Sequence, residues 1–250
     1  MKKIITLLFI CLSISNLQAQ YKEVRKAAAH HGVSTATSLN VVYIESDRNE
    51  IVLESEKKEH LDKILSEVKN GILYIQYKSN TKITTKKANK VTIYSNSKLQ
   101  SLKASSSSRL HIEAPIHASS VAINSSSSAN ISVRHLSATS LNIDINSSGS
   151  LDAHVKTSKA FINASSSSKV LLAGQINEAN VKMSSSAKID LAKAKVNDVI
   201  CDGSSSASLN IENLSTLRSD LSSSASISYS KIDQILQNKN SSSGRLIKKS

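Results

Sequence analysis

The chain has 250 residues, 32 of them basic and 19 acidic, a formal charge of +13, no tryptophan, and aromatics at 3%. So few aromatic rings exclude a stacking platform for sugars or single-stranded nucleic acid. The positive balance favours anionic partners, and Lys also keeps stacked strands soluble.

Lys2 and Lys3 precede the apolar run Ile4 to Leu12, and Leu17-Gln18-Ala19 ends on a small residue. A basic start, an apolar stretch too short to span a bilayer as a helix and a small cleavage residue predict an export signal over 1–19 and a mature chain from Gln20. Cys11 follows Ile10 rather than a small residue, which does not fit a lipoprotein box. No later stretch is apolar enough to cross a membrane. Without Lys2 and Lys3 the count is 30 basic against 19 acidic residues, a charge of +11. One cysteine remains, Cys201, in the apolar run Val199-Ile200-Cys201, which reads as a small core residue.

Residues 20–95 read as an N-terminal unit of strands and one capping helix. Val41 to Ile44 and Ile51 to Leu53 are β-rich runs joined by the polar turn Glu45 to Glu50. Leu61, Ile64, Leu65 and Val68 follow helical spacing, which predicts a helix over 56–69 with Ser55 as N-cap and Asn70-Gly71 ending it. Ile72 to Tyr77 and Val91 to Tyr94 return to strand.

Residues 96–250 carry a repeat. Serine blocks begin at Ser105, Ser125, Ser147, Ser165, Ser184, Ser204, Ser222 and Ser241. A period of 19–20 residues marks a stacked architecture in which each repeat is one coil. Apolar ladders accompany the blocks. The first runs Leu110, Ile131, Leu151, Val170, Ile189, Leu209, Ile227, and the second follows two positions later, from Ile112 and Val133 onward. Another runs Ile116, Leu136, Val155, Ile176, Val196, Leu214, Ile232, and another Leu102, Val121, Ile143, Ile162, Val181, Ile200, Leu221. Three short strands per coil predict a mainly β fold: a right-handed parallel β-helix, or β-solenoid, of about eight coils with serine at the corners. The helix 56–69 and its strands would cap one end, and Ile235, Leu236 and the tail Arg245 to Lys249 would cover the other.

These features resemble the exported Bacteroidetes proteins that carry the auto-transporter adhesin head GIN domain. The resemblance runs through Val33-Ser34-Thr35, Leu39-Asn40-Val41-Val42, Leu61-Asp62-Lys63-Ile64 and Asn70-Gly71-Ile72-Leu73-Tyr74-Ile75, then through the serine repeats, as one domain from about 33 to 235. It implies a β-helical fold, a cell-envelope location in the periplasm or at the surface, and no catalytic residues to carry over. The family's corners alternate Ser and Gly; here Gly survives at Gly149, Gly203 and Gly244.

No catalytic, cofactor or metal residue is assigned from the sequence, and the chain reads as a non-enzyme. No Gly-x-Ser-x-Gly elbow singles out a nucleophile. Asp202 and Asp220, 18 apart, are placed to stack on adjacent coils. His117, His135 and His154, separated by 18 and 19, would form a Zn²⁺ or Cu²⁺ site if their registers coincide. The reading is an adhesin-like binding module whose partners are anionic polysaccharide or outer-membrane components, with no specific nucleic acid. The alternatives are a carbohydrate-active β-helix enzyme, which needs clustered carboxylates, and a purely structural envelope scaffold.

Overall fold

The computed structural model describes residues 21–85 and 88–249. The expected signal peptide 1–19 and mature start at Gln20 lie outside them. The strands are β1 (Tyr21–Lys26), β2 (Gly32–Thr35), β3 (Asn40–Ile44), β4 (Glu50–Ser55), β5 (Ile64–Lys69), β6 (Ile72–Tyr77), β7 (Lys90–Tyr94), β8 (Ser101–Ala104), β9 (Arg109–Ile112) and β10 (Ile116–Ser125). The next are β11 (Asn130–Ile145), β12 (Ser150–Ala164), β13 (Lys169–Met183), β14 (Lys188–Gly203), β15 (Ser208–Asn210), β16 (Asn213–Leu221), β17 (Ser226–Tyr229), β18 (Lys231–Asn240) and β19 (Arg245–Lys248). They wind into a β-solenoid of about seven turns. Each turn has a face before the serine corner, a face after it and a third face that closes the coil.

The corners explain the serines. Each central pair has positive φ at both residues: Ser106 and Ser107, Ser127 and Ser128, Ser147 and Ser148, and so on to Ser242 and Ser243. The fourth residue donates back to the first, as in Ser108 N–H to Ser105 O at 3.1 Å and Gly149 N–H to Asn146 O at 2.8 Å. That is the geometry of a type I′ turn. Its fourth residue points inward and is small: Ser108, Ala129, Gly149, Ser168, Ala187, Ala207 and Ala225 are all buried. A Cβ on Gly149 would lie 2.4 Å from the backbone oxygen of Ser125, so nothing larger fits there.

Inward columns stack in register. One runs Leu73, Val33, Leu102, Ile123, Ile143, Ile162, Val181, Cys201, Ser219, Asn238. Beside it, at the corner, run Ser125, Ile145, Ala164, Met183, Gly203, Leu221. Large and small residues alternate there, so neighbouring coils interdigitate at constant spacing. A Cβ on Gly203 would meet Met183 Cε and Leu221 Cδ2, each at 2.8 Å.

Two expected ladders shift. Cys201, not Ile200, takes the inward place opposite Val181, and Ile200 is 37% exposed. Val121 stacks on Leu141 while Ile123 stacks on Ile143. The serine blocks do not start at one structural position: Ser125 still belongs to a strand, and Asn146 opens the next turn. Counting from the first serine therefore slips the register by one at Ser125 and at Ser147. Ser204 opens its turn as Ser184 does, and there Cys201, three positions before the turn like Val181, faces in while the more apolar Ile200 faces out. On the third face Val155 pairs with Gly174 and Ile176 with Thr157, so the single expected ladder is two.

The helix expected over 56–69 is also corrected. A single helical turn, α1 (Lys58–Leu61), is followed by β5, which pairs antiparallel with β6 from Ile64↔Tyr77 to Lys69↔Ile72. Asn70 and Gly71, at φ 50° and 73°, turn this hairpin rather than cap a helix. The open edge of β6 supplies a ladder of hydrogen bonds that an isolated helix would forgo.

The N-terminal strands are not merely a cap. β2 lies between β6 and β8, and β3 between β7 and β9, all parallel. The coil made by residues 32–44 is thus inserted between coils formed later in the chain. Antiparallel β5 covers β6, β4 covers β7, and β1 covers β4. At the far end Ile235 and Leu236 do not form a lid: they belong to the last coil, 46% and 40% exposed. That coil places Asn238 and Asn240 in the inward columns, and Ser219 Oγ donates to Asn238 Oδ1 at 3.1 Å. Polar replacement of core positions makes it a capping repeat.

Candidate binding face

The outer surface sorts charge by face. The face before the serine corner carries both signs in contact. Lys159 Nζ lies 2.9 Å from Glu178 Oε1, and Asn180 donates to the same oxygen at 2.7 Å. The Lys159 and Asn180 hydrogen bonds hold the Glu178 carboxyl below its ordinary value. Asp202 and Asp220 do stack in register, as expected, but Lys182 and Lys239 bracket them on the next coils in the same column. The pair therefore belongs to a column of mixed sign, flanked by a lysine on each side, rather than to a bare carboxylate site.

The third face differs. Its segments 134–138, 154–157, 173–176 and 193–196 contain no Asp or Glu. They carry Arg134, His135, His154, Lys156, Lys193 and Lys195, all exposed. Among the described residues no carboxylate lies within ion-pairing distance of Lys156, Lys193 or Lys195.

A groove follows the edge where the third face turns into the next. Its volume is about 450 Å³, and His117, Ser137, Thr139, Lys156, Gln175 and Asn177 line it with small side chains. His117, Ser137, Lys156 and Gln175 are register partners on four successive coils, so they form one wall. Thr157 Oγ1 lies 3.3 Å from Thr139 O and 3.2 Å from Lys159 O, which fixes its hydroxyl. Asn197 Nδ2 donates to Asn177 Oδ1 at 2.7 Å, leaving the Asn177 amide hydrogens for a ligand. One cation, one imidazole, hydroxyls and amides, without an aromatic ring, make a polar groove that selects by charge and hydrogen bonding.

The three histidines do not stack as one column. His135 and His154 lie edge to face with ring centroids 5.8 Å apart, whereas His117 is in register with Ser137 and faces the groove. Among the described residues no group of three His, Cys, Asp or Glu is placed to hold a metal ion. Cys201 is fully buried, and burial, with the neighbouring Asp202 charge, pushes its thiol pKa up. No helix of the described residues is long and apolar enough to cross a membrane. The lysines of the third face escaped sequence reading because a lone Lys is unremarkable until its coil register is known.

The sequence model of the family DUF2807, described as "Putative auto-transporter adhesin, head GIN domain", matches residues 29–231. Among solved structures, a putative lipid binding protein from Parabacteroides distasonis superposes with a TM-score of 0.75 at 18% identity, covering 92% of this chain and 97% of that one. A putative adhesin from Parabacteroides merdae gives 0.76 at 17% identity, covering 92% and 96%. One from Bacteroides fragilis gives 0.63 at 16%, covering 92% and 95%. No curated protein matches.

Proposed function

Because the chain belongs to the family of auto-transporter adhesin head GIN domains, we propose that it is a non-enzymatic binding module of the cell envelope that takes an anionic glycan on its third face. One observation carries this reading: over four successive coils that face has basic and neutral polar side chains and no carboxylate. A rigid rod also suits display, since each coil is hydrogen-bonded to the next and the outward side chains keep fixed spacings. The sequence pattern over 1–19 supports export.

Retention on immobilised acidic polysaccharide tests the proposal. Binding through exposed lysines is screened by salt, so retention should fall steeply between low and physiological ionic strength. Absence of retention on every acidic polymer tried, or retention indifferent to salt, would overturn it. Protease shaving of intact cells then reports the membrane side: cleavage places the module at the surface, and protection places it in the periplasm.

A further inference from the structure

The anionic-glycan reading leaves the polymer open, and the register of the third face narrows it. The outward position that walls the groove reads His117, Ser137, Lys156, Gln175, Lys195 on five successive coils. The offset that pairs Asp198 with Thr216 puts Asn213 next, and Asn213 pairs with Lys231, which also meets Asp233 at 2.8 Å. A basic side chain thus stands on every second coil, with a neutral hydrogen-bonding one between.

The neighbouring outward column is basic at His135 and His154, neutral at Ala173 and basic again at Lys193, so the two columns share one phase over the three coils from His154 to Lys193. The rows His154 with Lys156 and Lys193 with Lys195 are basic, and the row Ala173 with Gln175 between them is neutral. Coils stack at ~4.8 Å, so the basic rows lie roughly 10 Å apart along the solenoid axis. The groove follows the same axis, because one of its walls is this column.

A single head group would need neither an axis nor a period. A linear polymer does, and one sugar ring is of the order of one coil spacing in length. We propose that the groove holds a linear acidic polysaccharide, laid along the solenoid axis, in which acidic and neutral sugars alternate. The acidic groups sit on Lys156 and Lys195, and a neutral unit spans Gln175 between them. Lys is a point charge without the bidentate fork of Arg. The groove therefore reads the spacing of charge and leaves the geometry of each anion unspecified. The inference rests on the anionic-glycan reading and can fail without it.

The test compares two polymers with the full exported chain. Hyaluronan alternates a uronic acid with a neutral amino sugar; polygalacturonate carries an acid on every ring. The chain should prefer hyaluronan fragments over polygalacturonate fragments of equal total charge. The double variant Lys156→Gln, Lys195→Gln should weaken hyaluronan binding about tenfold, or about 1.4 kcal/mol. The double variant Lys103→Gln, Lys182→Gln, on another face, should not. Gln175→Lys fills the neutral row and should shift the preference towards polygalacturonate. All five positions but Lys103 and Lys182 line or adjoin the groove, and all are exposed, so circular dichroism should show unchanged folds. Equal binding of the two polymers, or hyaluronan binding that survives loss of both lysines, overturns this inference while leaving general anion binding intact. Failure to bind any acidic polymer overturns both readings.

Discussion

Ser107 donates its backbone N–H to the carbonyl oxygen of Ser127 at 2.9 Å, and both residues lie at positive φ. The relation recurs from coil to coil: Ser128 to Ser147 at 3.0 Å, Ser148 to Ser166, Ser167 to Ser185 and Ser206 to Ser223 at 2.9 Å. The left-handed region costs an L residue roughly 1–2 kcal/mol, so paired serines there are strained. The corner-to-corner ladder offsets that strain by satisfying backbone groups that a looser turn would leave to water.

Replacing one exposed corner serine by glycine should therefore stabilise the fold. For Ser185→Gly the relief of roughly 1–2 kcal/mol outweighs the added freedom of glycine when unfolded, roughly 0.5–1 kcal/mol. The net gain of about 0.5–1 kcal/mol would appear as a higher midpoint in denaturant. Ser185→Val should lower the midpoint, because a β-branched residue avoids this conformation. A glycine variant less stable than the parent would assign the serine hydroxyl a stabilising contact of its own.

Gly71→Ala should loosen the end hairpin. Gly71 has φ +73°, and a Cβ there would lie 2.1 Å from the His31 ring. The backbone cost alone is roughly 1–2 kcal/mol, and His31 must also move. Hydrogen exchange should quicken for the amides of β5 and remain slow in β12 and β13. Uniform loss of protection would mean that the hairpin and the rod unfold as one unit.

Acid should weaken the protein through His30. Its ring is 7% exposed, its Nδ1 lies 2.8 Å from Ala28 O, and its Nε2 is buried without a partner. Burial holds its pKa below the ordinary value of 6.5, against the opposing effect of the Ala28 carbonyl. As pH falls the unfolded chain takes up this proton first, so the contribution is full above 6.5 and is lost as pH drops through the lowered folded value. The denaturant midpoint should decline from neutral pH towards pH 5, and less steeply in His30→Gln. Buried His60, whose pKa is lowered chiefly by desolvation, should keep some slope in that variant. A parent midpoint flat across this range would contradict a buried neutral His30.

The Cys201 thiol should resist modification. It is 0% exposed and sits between Val181 and Ser219 in an inward column. A thiol reagent should label the chain only after denaturant is added, at the rate of global unfolding. Rapid labelling of the folded protein would mean that the coils near the C-terminal end open independently.

The alternating apolar residues after each serine block reported the solenoid faithfully, because every second side chain of a stacked strand must face the core. The serines reported corners for an equally local reason. Three things were hidden. Residues 61–68 satisfy a helical spacing, yet an unpaired β6 edge recruits them as a strand, and Asn70-Gly71 suits a hairpin as well as a helix end. Ile200 is the more apolar of its pair, yet Cys201 stands three positions before the turn that Ser204 opens, as Val181 does before Ser184, and so Cys201 takes the inward place. Lys156 and Lys195 fall on one column only once bulges such as the one between Leu171 and Ala173 are placed. Sequence spacing locates strands, but the pairing partner on the next coil decides which residues share a surface.

The insertion of β2 and β3 between coils formed by later residues makes the two ends of the rod unequal in kind. At the C-terminal end, coils can be peeled away one at a time in reverse chain order, each removal exposing a complete coil beneath. At the other end, deleting residues 32–44 would not shorten the rod. It would leave a gap of one strand's width between β6 and β8 and between β7 and β9, with sound structure on both sides. The first residues of the rod are thus its keystone rather than its tip, and they cannot find their place until the chain has extended past Ile112.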